Sequence, residues 1–230
     1  MLRILFVILA ATLFSHAADS AASVEPNPWR SLFDGTTLTG WSVKSGNATY
    51  RVEDGAIIGT YANNSTTTFL CPDETFTDFE LTFEVRLDNA ELNTGVQIRS
   101  VLAGDKLGGS LTGPQIEIAD GGATGFIFGQ GLKGWMQDPK SGTNPPVAPL
   151  VIGEWTSFRA LAVGPHIQTW IRDKPVADLI LNAEQQAAYG SGRIGLQVHG
   201  VKPKQGLGPH QVRFRNIQIR VISDKAPSKP

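Results

Sequence analysis

The chain has 230 residues with 20 Lys+Arg against 21 Asp+Glu, and this near balance, with no basic stripe, excludes a nucleic-acid partner held by phosphate contacts. Its one cysteine, Cys71, excludes an intramolecular disulfide, so stability has to come from a buried core. No apolar run reaches the roughly 20 residues that a membrane-spanning helix needs.

In chain order, Met1-Leu2-Arg3 supplies a positive charge, and Ile4–Phe14 is an apolar run broken only by alanines and Thr12. Ser15-His16-Ala17 then places small residues before a cut, the pattern of a secretory signal peptide. Residues 1–17 are therefore expected to be removed on export to the periplasm or the exterior, with no membrane contact afterwards. An uncleaved anchor is the rival reading, and no cysteine follows the run to support a lipid attachment. Residues 18–28 read as a loose segment, 29–222 as one β domain and 223–230 as a polar tail that frays. Sequons at Asn47, Asn63 and Asn64 matter only in a host that glycosylates.

Strand patterns dominate the domain. Phe79–Leu87 alternates apolar and polar residues at period two, as a strand with one buried face does. Similar runs occur at Tyr50–Glu53, Ala56–Gly59, Thr67–Leu70, Gly95–Arg99, Gln115–Ile118, Trp155–Val163, His166–Arg172, Arg193–His199 and Gln211–Ile222. In the last run Val212 and Phe214 share one phase while Ile217, Ile219 and Val221 share the other, which predicts a β-bulge at Arg215-Asn216. Asp54-Gly55 predicts a tight hairpin because both residues accept positive φ, and Arg172-Asp173-Lys174-Pro175 predicts a second turn between two further strands. One helix is expected over Ala183–Tyr189, capped by Asn182 with Gln185 closing a capping box and Gly190 ending it. Many short strands and one helix predict an all-β, two-sheet antiparallel sandwich of the jelly-roll or lectin-like type. Two long loops, Val101–Gly113 and Phe128–Gly153, are of the length that builds site walls.

Three strands carry polar pairs two residues apart: Gln97 and Arg99, Gln115 and Glu117, Gln197 and His199. Residues so spaced share one side of a strand, so neighbouring strands would gather amides, a guanidinium, a carboxylate and an imidazole on one concave face. A solvated sheet face also alternates, but this set is not the Lys, Thr and Ser of a merely wet surface. Such a mixture of donors and acceptors suits a sugar. Among Trp29, Trp41, Trp135, Trp155 and Trp170, only Trp135 lies in a long loop, which makes it the candidate platform for a sugar ring. Trp41 and Trp155 are expected in the core or at its edges. Cys71, followed by Pro72, reads as a half-buried thiol at a strand end. There is no G-x-S-x-G elbow, P-loop or H-E-x-x-H motif. The histidines stand at no metal-ligand spacing, and Gly121–Gly125 reads as a flexible turn. No metal ligands are assigned, no cofactor is indicated, and a metal requirement stays open.

Leu32-Phe33-Asp34-Gly35-Thr36-Thr37-Leu38-Thr39-Gly40-Trp41 resembles the opening motif of the 3-keto-disaccharide hydrolase-like family. The likeness continues through Val52–Gly55, Asp78–Leu81, Asn93–Arg99, Gly113–Ile118 and Gly153–Trp155, and closes with Gly192–Gly200 and Val212–Ile217. Thr94 stands where serine is commoner, and Asp173-Lys174 replaces an Asn-Gly turn. The resemblance implies a concanavalin-like sandwich, export, and cleavage of glycosides whose ring carries a ketone at C3.

Such a ketone acidifies the C2 proton, so the aglycone can leave by elimination and water can add back. That chemistry needs a base, an acid and a partner for the enolate. Glu117 and His199 are the candidate base and acid, in either order, and Arg99 is the candidate enolate partner. Gln97, Gln115 and Gln197 would position hydroxyls. Direct hydrolysis by two carboxylates, Glu117 and Asp120, is the other enzymatic route. A lectin-like binding module is the non-enzymatic alternative, and a structural surface protein ranks behind both.

Overall fold

In the computed structural model the described residues are 27–62, 65–104, 109–119, 122–140, 150–200 and 210–223. The expected signal segment, the sequons at Asn63 and Asn64, Asp120, residues 105–108 and 141–149 of the two long loops, and the polar tail from 224 on lie outside them. Two antiparallel sheets form the domain. One runs in the order β12 (Lys174–Ile180), β11 (His166–Ile171), β10 (Thr156–Val163), β6 (Asp78–Leu87), β14 (Gln211–Ser223), β4 (Ala56–Thr60), β3 (Thr49–Glu53), with β1 (Arg30–Ser31) also on β14. The other runs β2 (Trp41–Lys44), β5 (Thr68–Pro72), β13 (Arg193–Val198), β7 (Asn93–Leu102), β8 (Leu111–Ala119), β9 (Ile127–Gln130). They are called the charged sheet and the amide sheet below, after their outer faces.

The alternation in β6 buries Phe79, Leu81, Phe83, Val85 and Leu87 between the sheets. They meet Val96, Ile98, Ile116, Ile118, Leu196 and Val198 from the amide sheet. Phe83 and Phe158 stack at 5.2 Å between centroids. Burial of this apolar surface is the main favourable term holding the sheets together.

The local expectations at turns and ends hold. Asp54 and Gly55 take φ of 52° and 72°, the pair of positive values that a type I′ turn requires. Arg172 and Asp173 make the same kind of turn with φ of 49° and 63°. β14 slips register against β6 between Arg215 and Gln218, with Asn216 at φ 51°, so the bulge returns Ile217 and Ile219 to the core. The helix α1 spans Ala183–Tyr189, and its capping box joins Asn182 and Gln185 in both directions.

Some expectations need correction. Val101, Leu102 and Leu111–Gly113 belong to strands, as do Phe128–Gln130, so both expected loops are shorter than their composition suggested. Strands β1, β2 and β9 were not anticipated, and β12 was expected only as an unbounded strand after the turn at Arg172-Asp173. Cys71 is fully buried within β5, not half-exposed, and desolvation pushes its thiol up to about 12, which removes a thiolate at neutral pH. Trp155 and Trp170 lie on the outer face of the charged sheet, under Arg215 and Arg159 respectively. Trp41 packs at the core edge and donates its indole N–H to the Leu32 carbonyl at 3.0 Å.

Candidate active site

The outer face of the amide sheet is built by side chains that alternate away from the core. From β13 come Gln197 and, just past its end, His199; from β7 come Asn93, Gly95 and Gln97; from β8 come Gln115 and Glu117; from β9 come Phe128 and Gln130. The register explains how they meet. Gly95 lies opposite Glu117, and Gln97 opposite Gln115. A Cβ on Gly95 would sit 2.6 Å from Gln115 Cδ. The missing side chain leaves the space in which the Gln115 amide lies.

That placement creates a directed set of hydrogen bonds. Gln97 Nε2 donates to Gln115 Oε1 at 2.5 Å, and Gln197 Nε2 donates to the same oxygen at 2.7 Å. Gln115 Nε2 donates to Glu117 Oε2 at 2.8 Å, and Asn93 Nδ2 donates to Glu117 Oε1 at 2.5 Å. Gln97, Gln115 and Gln197 are at most 2% exposed and Glu117 is 7% exposed. Burial raises the Glu117 pKa above its ordinary 4.5, with the amide bonds from Gln115 and Asn93 pulling it partly back. Burial also lowers the His199 pKa below 6.5, favouring a neutral imidazole.

A cleft of about 190 Å³ opens above this group, lined by Asn93, Gln115, Glu117, Phe128, Gln130, Trp135 and His199. Its size is below the roughly 300–1,000 Å³ of sites for drug-sized ligands, consistent with one sugar ring and not a long chain. Trp135 is 37% exposed and meets Phe128 edge-on, with centroids 5.3 Å apart. Two residues of the cleft wall carry a buried atom with no hydrogen-bond partner among the described residues, Asn93 Oδ1 and His199 Nδ1, and Gln197 beside them on the sheet carries another, Oε1. A buried polar atom left unmatched costs about 1–3 kcal/mol. Among the described residues there is no cluster of three His, Cys, Asp or Glu that would hold a metal ion.

Of the residues expected to converge, Gln97, Gln115, Glu117, Gln197, His199 and Trp135 do so, and Arg99 does not. Arg99 takes φ 48° within a bulge of β7, between the pairs at Gln97 and Val101. The twist sends its side chain across to the other sheet. Its Nε donates to Thr77 O at 2.5 Å, Nη1 to Gly164 O at 2.6 Å and Nη2 to Asp78 Oδ1 at 2.8 Å. Arg99 is a buried clamp between sheets, not a group facing the cleft. Asp120 is outside the described residues. The strand reading missed Asn93, Phe128 and Gln130. The alternation of Ile127 with Phe128 and Gln130 was a signal for the last two, obscured by Gly129.

No curated protein matches the chain by sequence. Among solved structures, a Parabacteroides distasonis protein provisionally named a glycosyl hydrolase superimposes with TM-score 0.60 at 20% identity, covering 85% of this chain and 94% of its own. A Bacillus subtilis protein of unknown function with a galectin-like fold gives 0.53 at 10% identity, covering 80% and 90%. The lumenal domain of VIP36, solved with calcium and a mannose-containing glycan, gives 0.51 at 11% identity, covering 86% and 90%. At these identities the likeness establishes the lectin-like sandwich and nothing about activity. The sequence itself matches the model of the 3-keto-alpha-glucoside-1,2-lyase-like domain over residues 28–220, nearly the whole described chain, and the protein belongs to that family.

Proposed function

We propose that the protein is an exported carbohydrate-active enzyme that cleaves the glycosidic bond of a neutral sugar carrying a ketone at C3, with Glu117 as general base. One observation carries this reading. A single desolvated carboxylate, fixed by two amides, faces a ring-sized cleft whose walls hold unmatched hydrogen-bonding atoms. No cation lines the cleft among the described residues, which suits a neutral sugar better than a uronate.

The carboxylate removes the C2 proton, and the electron pair of that bond moves onto the C3 ketone as an enolate. Its return forms C1=C2 as the C1–O bond breaks, the aglycone oxygen taking the proton that Glu117 now holds. Water then adds hydroxide to C1 and a proton to C2. Raised above 4.5, the Glu117 pKa moves toward the range in which a base both accepts and returns a proton. A neutral His199 is suited to share the enolate oxygen as a hydrogen-bond donor, with the Gln130 amide beside it, in the role expected of Arg99. Trp135 and Phe128 offer the apolar wall for the C–H face of the ring.

Purified protein assayed against matched glycosides, with and without the 3-keto group, tests the reading. Release of aglycone from the keto compound alone supports it. Binding of both with turnover of neither would make the protein a lectin-like module.

A further inference from the structure

The bulge that removes Arg99 from the amide face brings Ser100 onto it. Regular alternation would turn Ser100 toward the core, but the positive φ at Arg99 shifts the phase by one residue. Gly192 of the neighbouring segment lets the bulge close up, since a Cβ there would sit 2.4 Å from the Arg99 carbonyl carbon. Ser100 Oγ is fully buried and lies 2.6 Å from Gln97 Oε1, with the Ile98 and Pro114 carbonyls farther away at 3.3 Å.

We propose that Ser100, Gln97 and Gln115 form a chain of positioning residues that holds Glu117 ionised and aimed into the cleft. This rests on Glu117 being the base in the reading above. The chain has one sense. Ser100 donates to Gln97 Oε1, Gln97 Nε2 to Gln115 Oε1, and Gln115 Nε2 to Glu117. Each amide thus presents its N–H end toward the carboxylate, and aligned dipoles polarise one another in a buried setting. Gln115 cannot turn over, because its Oε1 already accepts from both Gln97 and Gln197. No other device in view favours the anion except Asn93. From β7 the carboxylate is faced by Asn93, from β9 by Phe128, from the following loop by Trp135 and from the end of β13 by His199. Among these only His199 titrates, and burial favours its neutral form. Neutral amides are doing at this carboxylate what a cation does elsewhere.

The test is a carbon-13 NMR titration of the Glu117 carboxyl in the full chain, with the resonance assigned by its loss in Glu117→Gln. Gln115→Met should move the midpoint upward by about one pH unit, the size expected for losing one hydrogen bond to a charged group. Gln97→Met should move it less and Ser100→Ala least, all in the same direction. A side chain that merely fills space would not give this graded shift. Midpoints unchanged from wild type in folded Gln97→Met and Ser100→Ala proteins would overturn the proposal. Should Gln97→Met fail to fold, an unmoved midpoint in Ser100→Ala overturns it alone. Graded shifts in a protein that turns over no 3-keto glycoside would leave the chain standing and remove the enzymatic reading. Turnover with unmoved midpoints would do the reverse.

Discussion

The two outer faces of the sandwich are both polar and solve the problem of polarity in opposite ways. On the charged sheet, Glu80 receives Arg159 and Arg220, Glu84 receives Arg215, Asp88 receives Arg86 and Arg213, and Glu53 receives Arg51. Four of those guanidinium groups also lie over indole rings, Arg159 over Trp170 at 3.5 Å, Arg215 and Arg86 over Trp155 at 4.1 and 5.8 Å, and Arg220 over Trp29 at 5.1 Å. Every carboxylate of this band has an opposite charge beside it, and even where the carboxylate is buried, as at Glu80, its arginine partners stay partly exposed. On the amide sheet there is one buried carboxylate, no cation beside it among the described residues, and three polar atoms with nothing to bind. Under the proposed function, charge density does not mark the ligand face. Unmatched buried atoms do, three of them around the amide sheet against Arg220 Nε alone among the described residues of the charged band.

The sharpest contrast between paired and unpaired charge is Arg99, which the sequence placed on the site face and the structure places in the clamp. Arg99→Ala should cost on the order of 3 kcal/mol of stability, since it removes three hydrogen bonds of a fully buried guanidinium, to the half-buried Thr77 and Gly164 carbonyls and to Asp78, which keeps the Gly164 N–H. Arg99→Lys should recover only part of this, because a single ammonium cannot span three acceptors as the planar fork does. Chemical denaturation measures both. If Arg99→Ala keeps wild-type stability and loses sugar binding instead, Arg99 belongs to the site after all.

A smaller effect should appear at Glu117, and its sign depends on pH. The folded pKa is raised above 4.5, so the stability linked to this group is fully present below 4.5 and is lost as pH rises through the folded value. Glu117→Gln should therefore raise the melting temperature at pH 7.5 relative to wild type and bring no such gain at pH 4. The amide can be accommodated because Asn93, whose Oδ1 is unmatched, is free to turn that oxygen toward it. His199 works the other way. Its lowered pKa contributes stability above 6.5 that is lost as pH falls through the folded value, and His199→Gln should remove that acid-side loss. Thermal melts in which the difference between Glu117→Gln and wild type is the same at pH 4 and pH 7.5 would contradict the buried-anion account.

The smallest effect belongs to the charged face. Arg215→Ala removes a pair with Glu84 whose side chains are 37% and 27% exposed, and the contact over Trp155. Exposed pairs contribute about 0–1 kcal/mol, so the stability loss should stay near that range and sugar binding should not change. A loss of binding here would break the distinction between the two faces.

Much of the fold was legible because its signals are local. The period of two in β6, the phase slip at Asn216, the turn at Asp54-Gly55 and the cap at Asn182 each depend on a few adjacent residues. The bounds of β12 were blurred by Pro175 at its start and by a register shift in its partner at Gln168–Trp170, and β9 was hidden by its length of four residues and Gly129. The site divided in the same way. Gln115 with Glu117 and Gln197 with His199 keep strand phase, so spacing placed them correctly. Arg99 and Ser100 exchanged faces because a non-glycine residue took positive φ, a choice made by packing against Gly192 and not announced by the sequence. Asn93 was visible in a motif, but its role depends on lying across a strand pair from Glu117.

The most direct test of the central claim follows hydrogen at C2. Wild-type protein is incubated with a 3-keto glycoside in deuterated water, and the released sugar is examined for deuterium at C2 against an enzyme-free control. The account predicts aglycone release with deuterium incorporated at C2, and loss of both by about 100- to 10,000-fold in Glu117→Gln, while calorimetry shows the variant still binding the sugar. Aglycone release with C2 hydrogen retained, or near-normal turnover by Glu117→Gln, would contradict it.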